Sequence, residues 1–262
     1  MNHSVSLIAA VAIVAGCHTT NETPRSADGV GANPGTLKES TMPEQTINHI
    51  NYAIPAATNP QVVEIAAYSV REDQFKQFDG VHQRLMDAIL PMPGFVRAIA
   101  LRGGEDDLHI VDYVVWESRD DATRAAKDLQ SDDVYPAIMA LIERMHYFGH
   151  SRVLDRLAPG AAEGDVYEFA AFTIKAGETH SFLAKQPALF EAVANQPGFL
   201  ESQKSQDIDM PDRFIDLLRW ESMEAATAAT EALHEMVVCQ SAMSHVDRDD
   251  LFLHLRFYRE TR

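Results

Sequence analysis

The chain is poor in cysteine and in positive charge. Cys17 and Cys239 are its only cysteines among 262 residues, which excludes a fold stapled by several disulfides. Lys and Arg number 22 against 39 Asp and Glu, so the net charge is −17. Such an acidic chain lacks the basic face that nucleic acid and anionic lipid headgroups require. Nucleic acid and charge-mediated membrane binding are therefore excluded.

A long apolar run is also lacking. The run at residues 5–16 is interrupted only by Ser6, and it is shorter than the about 20 residues that cross a bilayer. Its length is typical of a secretory signal. It ends in Val-Ala-Gly-Cys at residues 14–17, which resembles the lipobox of bacterial lipoproteins, although residues 1–4 contain no Lys or Arg. The alternatives are an ordinary signal peptide and an unprocessed N-terminus.

The lipobox resemblance implies a signal peptide at residues 1–16 and lipidation of Cys17. His18 rather than Asp follows that cysteine, which implies anchoring to the outer membrane, facing the periplasm. Residues 17–60 are rich in Thr, Asn, Ser, Pro, Gly and Ala. Because such a segment cannot bury enough apolar surface to order itself, we expect a flexible linker.

The rest of the chain contains the same unit twice. A shift of 104 residues places Pro-Gly-Phe at 93–95 on Pro-Gly-Phe at 197–199, and Trp-Glu-Ser at 116–118 on Trp-Glu-Ser at 220–222, without a gap. Self-similarity at a fixed period indicates a structural repeat. We predict two repeats, at residues 61–155 and 165–260, joined by residues 158–164.

Each repeat has the pattern of a small α+β unit. Strands are indicated by apolar β-branched and aromatic runs, and helices by apolar residues at helical spacing. The order is β-α-β-β-α-β, the ferredoxin-like unit. In the first repeat the elements are predicted at residues 62–70, 72–90, 95–102, 108–116, 118–143 and 146–153.

This order, with its Pro-Gly-Phe turn and its strand ending in Trp-Glu-Ser, resembles the antibiotic biosynthesis monooxygenase (ABM) family of dimeric α+β barrels. The resemblance covers each repeat nearly end to end and implies that two four-stranded sheets pack face to face. Because each sheet must bury its faces, we expect both sheets to come from one chain, as an intrachain dimeric barrel in a monomer.

The resemblance also bears on activity. Haem-degrading members carry an Asn on the first strand and a Trp and a His near the second helix. The first strands, 62–70 and 166–174, contain no Asn, and residues 118–143 contain neither His nor Trp. His234 and His245 lie in the matching part of the second repeat, again without Trp. The sequence therefore predicts no haem degradation and no cofactor.

Other members of the family oxygenate an electron-rich aromatic without a cofactor, which requires a cavity and a general base. Alternation along the strands places polar residues on one face of each sheet. We expect this face to line the barrel interior, while Leu253, Leu255 and Phe257 pack on the helices. The candidate bases are His150 and His254. The candidate ligand-binding residues are Glu64, Asp112, Arg152, Glu168, Asp216 and Arg256.

Two functions of different class remain open. The polar residues can form structural ion pairs, in a binding or interaction module whose barrel interior is either filled or holds a small apolar ligand. Alternatively they serve a cofactor-independent monooxygenase. A metal site is not expected, because His146 and His150 on one strand would lie about 13 Å apart.

Overall fold

A computed structural model describes residues 61–103, 107–157 and 166–262. The predicted signal peptide, the linker at 17–60 and the connection at 158–164 lie outside the described residues. The strands are β1 (Val62–Val70), β2 (Phe95–Gly103), β3 (His109–Trp116), β4 (Ile142–Leu157), β5 (Val166–Ile174), β6 (Phe199–Asp207), β7 (Arg213–Trp220) and β8 (Val246–Thr261). The helices are α1 (Phe75–Ile89), α2 (Arg119–Leu129), α3 (Val134–Leu141), α4 (Thr179–Leu183), α5 (Gln186–Ala194), α6 (Met223–His234) and α7 (Val237–Met243), with a 3₁₀ turn at Glu72–Gln74.

The tandem α+β arrangement is confirmed, but the second helix of each repeat is interrupted, and in the second repeat the first helix is also two, α4 and α5. The single helix predicted over 118–143 is two helices, α2 and α3, and β4 begins at Ile142 instead of residue 146. The break follows from local chemistry, since the Asp132 carboxylate accepts a hydrogen bond of 2.8 Å from the Val134 amide at the start of α3. A side chain that satisfies a first-turn amide starts a new helix there.

The two shared motifs are explained by backbone geometry and packing. Gly94 and Gly198 have φ of 81° and 78°, a left-handed conformation that only glycine adopts readily. Ser118 and Ser222 cap α2 and α6, because each hydroxyl accepts a hydrogen bond from the amide three residues later. These contacts fix the entry of the chain into each second helix.

The tryptophans of the same motifs are core residues. Trp116 and Trp220 are fully buried and meet Phe95 and Phe199 edge to face, with ring centroids 5.8 and 5.6 Å apart. Aromatic pairs in this geometry stabilise a core beyond the area that they bury. They hold the turn before β2 or β6 against the end of β3 or β7.

The strands close into one barrel in the order β1-β3-β2-β8-β5-β7-β6-β4. The two longest strands make this possible, because each pairs first within its own repeat and then with the other repeat. β4 pairs with β1 and then β6, and β8 pairs with β5 and then β2. At the β2–β8 seam, a Cβ on Gly103 would lie 2.5 Å from the carbonyl oxygen of His254, so this close approach requires glycine.

All neighbouring strands in the barrel are antiparallel. Equivalent strands such as β1 and β5 are four places apart in the closed order, so they run in the same direction. The pseudo-two-fold axis that relates the repeats therefore runs along the barrel axis.

Both faces of each sheet are buried. The interior cluster includes Ile65, Val111, Phe169, Ile215 and Leu253, contributed by both repeats. Separate clusters lie between the helices and the outer faces of the strands. Within the described residues, none of the helices has the length and apolar character that crossing a membrane would require.

Candidate functional site

The predicted orientation of the polar face is wrong. Leu253 and Leu255 belong to the barrel interior, whereas Phe252 packs with the helices of the second repeat. Phe257, which was also expected against the helices, is 44% exposed at one end of the barrel. Both sheet faces carry apolar residues. Alternation therefore predicts which residues share a face, but it does not predict which face packs against the helices. The narrow interior takes the apolar set, and the polar set lies under the helices.

The first repeat contains a buried polar triad on this outer face. Asp112 of β3 accepts a hydrogen bond of 2.8 Å from Tyr68 Oη and lies 2.9 Å from Nε2 of His82. His82 on α1 is completely buried, and its other ring nitrogen lies 3.3 Å from a guanidinium nitrogen of Arg259, from β8. The predicted residue Asp112 is thus satisfied by a helix residue that the sequence did not single out.

The second repeat satisfies the matching aspartate differently. Asp216 accepts a hydrogen bond from Lys204 of β6, whose side chain is only 1% exposed. The ammonium lies 5.2 to 5.6 Å from three phenylalanine ring centroids, a cation–π environment. In the first repeat the position of Lys204 is Ala100, and the position of His82 is Gln186 in the second. One repeat pairs its aspartate with a histidine from a helix, the other with a lysine from a strand.

A Glu–His pair occurs in both repeats. Nε2 of His150 lies 3.1 Å from Oε2 of Glu64, its direct cross-strand neighbour. Nε2 of His254 lies 3.3 Å from Oε2 of Glu168, also a direct neighbour, although not in the alignment of a normal hydrogen bond. The structure therefore brings four of the predicted residues together as two pairs. The two predicted arginines lie apart from them.

Arg152 and Arg256 are exposed. Arg152 donates a hydrogen bond of 3.2 Å to Gln206 of β6, a contact across the β4–β6 seam. Neither arginine lines the barrel interior pocket described below, so the prediction that each sheet gathers Glu, Asp, His and Arg inside the barrel is wrong.

Two buried ionisable groups of the second repeat have shifted pKa values. Burial raises the pKa of Glu168 above its ordinary value, helped by nearby Asp216 and opposed by His254. Burial lowers the pKa of Lys204, and the Asp216 carboxylate opposes that shift. Strongly perturbed ionisable groups are more frequent at functional sites than elsewhere, so this side of the second repeat is one candidate site.

A pocket of about 260 Å³ opens at the end of the barrel where β1 and β5 begin. Equivalent positions of both repeats line it, including Arg97 with Glu201, Tyr113 with Leu217, and Arg156 with Glu260. A pocket lined by equivalent residues lies on the pseudo-two-fold axis. Its other lining residues are Ile99, Tyr167, Gln203, Arg219, Phe257 and Arg262.

The sequence contained a signal for this pocket that was missed. Arg97 and Arg156 of the first repeat align with Glu201 and Glu260 of the second, so the charge reverses at two pairs of equivalent positions near strand ends. Such a reversal allows ion pairs across a pseudo-two-fold axis, and Nε of Arg156 donates a hydrogen bond of 2.7 Å to Glu201.

Histidine and acidic residues do not cluster into a metal site over residues 61–103, 107–157 and 166–262. His146 and His150 lie on β4 as expected. His146 instead packs against His109, with ring centroids 5.2 Å apart. Burial lowers the pKa of His146, as does the nearby His109.

The fold and the buried sites define a tandem ferredoxin-like protein closed into an intrachain α+β barrel. The model of the antibiotic biosynthesis monooxygenase (ABM) family matches residues 61–130 and 165–234, more than half of the chain. The chain therefore belongs to this family. No curated protein matches it at the level of sequence.

Solved structures share this fold at low sequence identity. An anthrone oxidase-like protein is 12% identical with a TM-score of 0.63, over 78% of this chain and 93% of the other. A proposed monooxygenase from Fusobacterium nucleatum is 10% identical with a TM-score of 0.60, over 77% and 94%. A point mutant of a chlorite dismutase from Candidatus Nitrospira defluvii is 11% identical with a TM-score of 0.57, over 78% and 93%. At such identity these similarities describe the fold.

Proposed function

We propose that this protein is a lipid-anchored binding protein of the bacterial cell envelope, and that its two ABM repeats hold a small molecule between them. The observation that carries the proposal is the pocket on the barrel axis, which is lined by both repeats. Its volume lies just below the range of about 300–1,000 Å³ that is usual for ligand pockets. The ligand is therefore smaller than a typical drug molecule.

The anchoring part of the proposal is supported by the sequence alone. The lipobox-like residues 14–17 precede the Thr-, Asn- and Ser-rich residues 18–60. A lipidated Cys17 followed by a flexible linker would hold the barrel away from the outer membrane on its periplasmic side. A soluble ligand would then reach the pocket without crossing the inner membrane.

Blocking the pocket tests this function. Ile99→Trp would place an indole ring in the pocket, and Met139→Trp would add the same bulk to the exposed surface of α3. A library of small fragments is screened by thermal shift and by calorimetry on all three proteins. Fragments should stabilise the wild type and Met139→Trp and fail to stabilise Ile99→Trp. The proposal is refuted if no fragment binds the wild type, or if the fragments bind Ile99→Trp as tightly as they bind the wild type.

A second candidate function is favoured by the Glu–His pair of the second repeat. Glu168 is fully buried with a raised pKa, 3.3 Å from a His254 side chain that is 25% exposed. A carboxylate with a raised pKa is a stronger base than an ordinary one and is suited to accept a proton. In a cofactor-independent oxygenation it would deprotonate an activated CH₂ group, whose carbanion reacts with O₂. The CH₂ becomes C=O, and the second oxygen atom leaves as water.

Anthrone is the probe for this activity, because a protein of the same fold is described as anthrone oxidase-like. Oxygen uptake is followed with the wild type, Glu168→Gln and the matched variant Glu64→Gln of the first repeat. The oxygenase function predicts uptake that Glu168→Gln abolishes and Glu64→Gln retains. Uptake no faster than that without protein would refute it.

A further inference from the structure

The axial pocket concentrates positive charge in a strongly acidic protein. Four of its twelve lining residues are arginines, and two are glutamates, whereas the whole chain carries −17. A local excess of two positive charges inside a concave, partly enclosed site attracts anions. The first repeat supplies this excess through Arg97 and Arg156. The second repeat contributes two arginines and both glutamates, whose charges cancel.

The glutamates leave one arginine without a carboxylate. Glu201 is shared between Arg156 at 2.7 Å and Arg219 at 3.4 Å, and Glu260 accepts a hydrogen bond of 2.7 Å from Arg262. Arg97 has no ion pair in the described part of the chain. A partly buried guanidinium of this kind binds a carboxylate well, because its two N–H groups match the two oxygens.

Two uncharged hydrogen-bond donors of the same pocket also lack an acceptor of normal geometry among the described residues. The hydroxyl of Tyr113 is buried in a residue only 3% exposed, and it forms no hydrogen bond of normal geometry with the described residues. The side-chain amide nitrogen of Gln203 is also buried and forms no hydrogen bond with the described residues. Burial raises the pKa of Tyr113 well above its ordinary value, against the effect of the nearby Ser205, so the hydroxyl keeps its proton. Buried polar atoms without partners are costly, which points to a ligand that supplies acceptors.

The walls beside these donors are apolar. Ile99, Leu217 and Phe257 line the pocket, and the ring of Tyr167 completes it. They suit a short aromatic or aliphatic body and do not suit a fully hydrated inorganic anion. This differs from the wholly apolar ligand that the sequence led us to expect.

We propose that the axial pocket binds a small organic carboxylate, with the carboxylate on Arg97, Tyr113 and Gln203 and the apolar body against Ile99, Leu217 and Phe257. This proposal rests on the proposed binding function and names its ligand class. The charge reversal between repeats gives the bound anion one preferred orientation, because Arg97 faces the pocket from one side and Glu201 from the other.

The test uses pairs of probes that differ in charge and little in shape. Benzoate is compared with benzamide, and hexanoate with hexanamide, by calorimetry on the whole chain. At least one acid should bind tenfold or more tightly than its amide, and its affinity should fall as salt is added. If amides bind as tightly as acids and Ile99→Trp blocks both, the carboxylate proposal is overturned while the binding function stands. If fragments from the library bind in the pocket but neither benzoate nor hexanoate does, the carboxylate proposal is likewise overturned while the binding function stands.

Three variants locate the bound anion. Arg97→Met should weaken binding of the acid at least tenfold, because a charge-assisted contact is lost. Tyr113→Phe should weaken it several-fold and change the thermal stability of the free protein little, since the hydroxyl forms no hydrogen bond of normal geometry with the described residues and has only the nearby Ser205 beside it. Arg84→Met, at an exposed position of α1, is the control and should bind as the wild type does. Tight binding of the acid that neither Arg97→Met nor Tyr113→Phe weakens would overturn the proposal.

Discussion

The aspartate has a different partner in each repeat, His82 in the first and Lys204 in the second. One repeat can therefore be rebuilt with the chemistry of the other. Lys204→Ala places in the second repeat the residue that the first has at that position, Ala100. The substitution leaves the Asp216 carboxylate, whose side chain is 16% exposed, without its cation. Removing one partner of a buried ion pair costs about 3–5 kcal/mol. Since Asp216 retains some contact with water, we expect a loss of about 3 kcal/mol, at the lower end of that range.

Gln186→His should then recover part of that loss. Gln186 is buried, and neither polar atom of its side chain has a hydrogen-bond partner among the described residues. A histidine there would take the place that His82 has 2.9 Å from Asp112. A hydrogen bond to a charged group contributes about 1.5–3 kcal/mol, so Lys204→Ala with Gln186→His should be at least about 1 kcal/mol more stable than Lys204→Ala alone.

Urea denaturation followed by the fluorescence of Trp116 and Trp220 measures these differences, because both side chains are buried. The control is Gln186→His alone, which keeps Lys204 and so should gain no such stabilisation. The reasoning is refuted if Lys204→Ala is as stable as the wild type, or if adding Gln186→His does not improve it.

Three further predictions concern Glu168, the N-terminal cysteine and haem. Burial raises the pKa of Glu168 above its ordinary 4.5, so the folded state holds that proton more tightly than the unfolded state does, and stability is lost as pH rises through the raised pKa. Glu168→Gln should therefore gain stability over the wild type as pH rises from about 4 towards neutrality, as measured by urea midpoints. Cys17→Ser should remove an added lipid mass and release the protein from membranes in fractionation, whereas equal solubility of the two forms would contradict lipidation. With haem and a reductant, the wild type should leave the Soret band unchanged relative to a control without protein.

The fold was predictable because the same sequence pattern occurs twice in the chain. Each repeat gives the same strand, turn and cap signals, and agreement between the two copies removes the ambiguity of any one segment. The sequence of the repeats does not indicate which face of the sheet packs against the helices. Ala66 and Ile65 are equally compatible with a core, and a sheet buried on both faces has no solvent side from which to set the orientation.

The sites were predictable only in part. The cross-strand Glu64–His150 and Glu168–His254 pairs follow from strand alternation once the register is known. His82 and Lys204 were missed because each is the partner of an aspartate in one repeat only, and comparison of the repeats favoured identical residues. The axial pocket depends on the register of the β2–β8 and β4–β6 seams, both of which contain irregularities. A single sequence does not specify those shifts.

The two repeats share one barrel within one chain. The seams bury Gly103 against Leu255 and pair Ser151 with Asp207, and the interior cluster takes residues from both repeats. Light scattering on residues 61–155 and on residues 61–262 tests this most directly. The shorter chain would expose the interior face of its sheet, an apolar surface that monomers rarely tolerate. It should therefore form dimers or aggregates, whereas residues 61–262 should be a compact monomer. A well-behaved monomer of residues 61–155 would contradict the shared barrel.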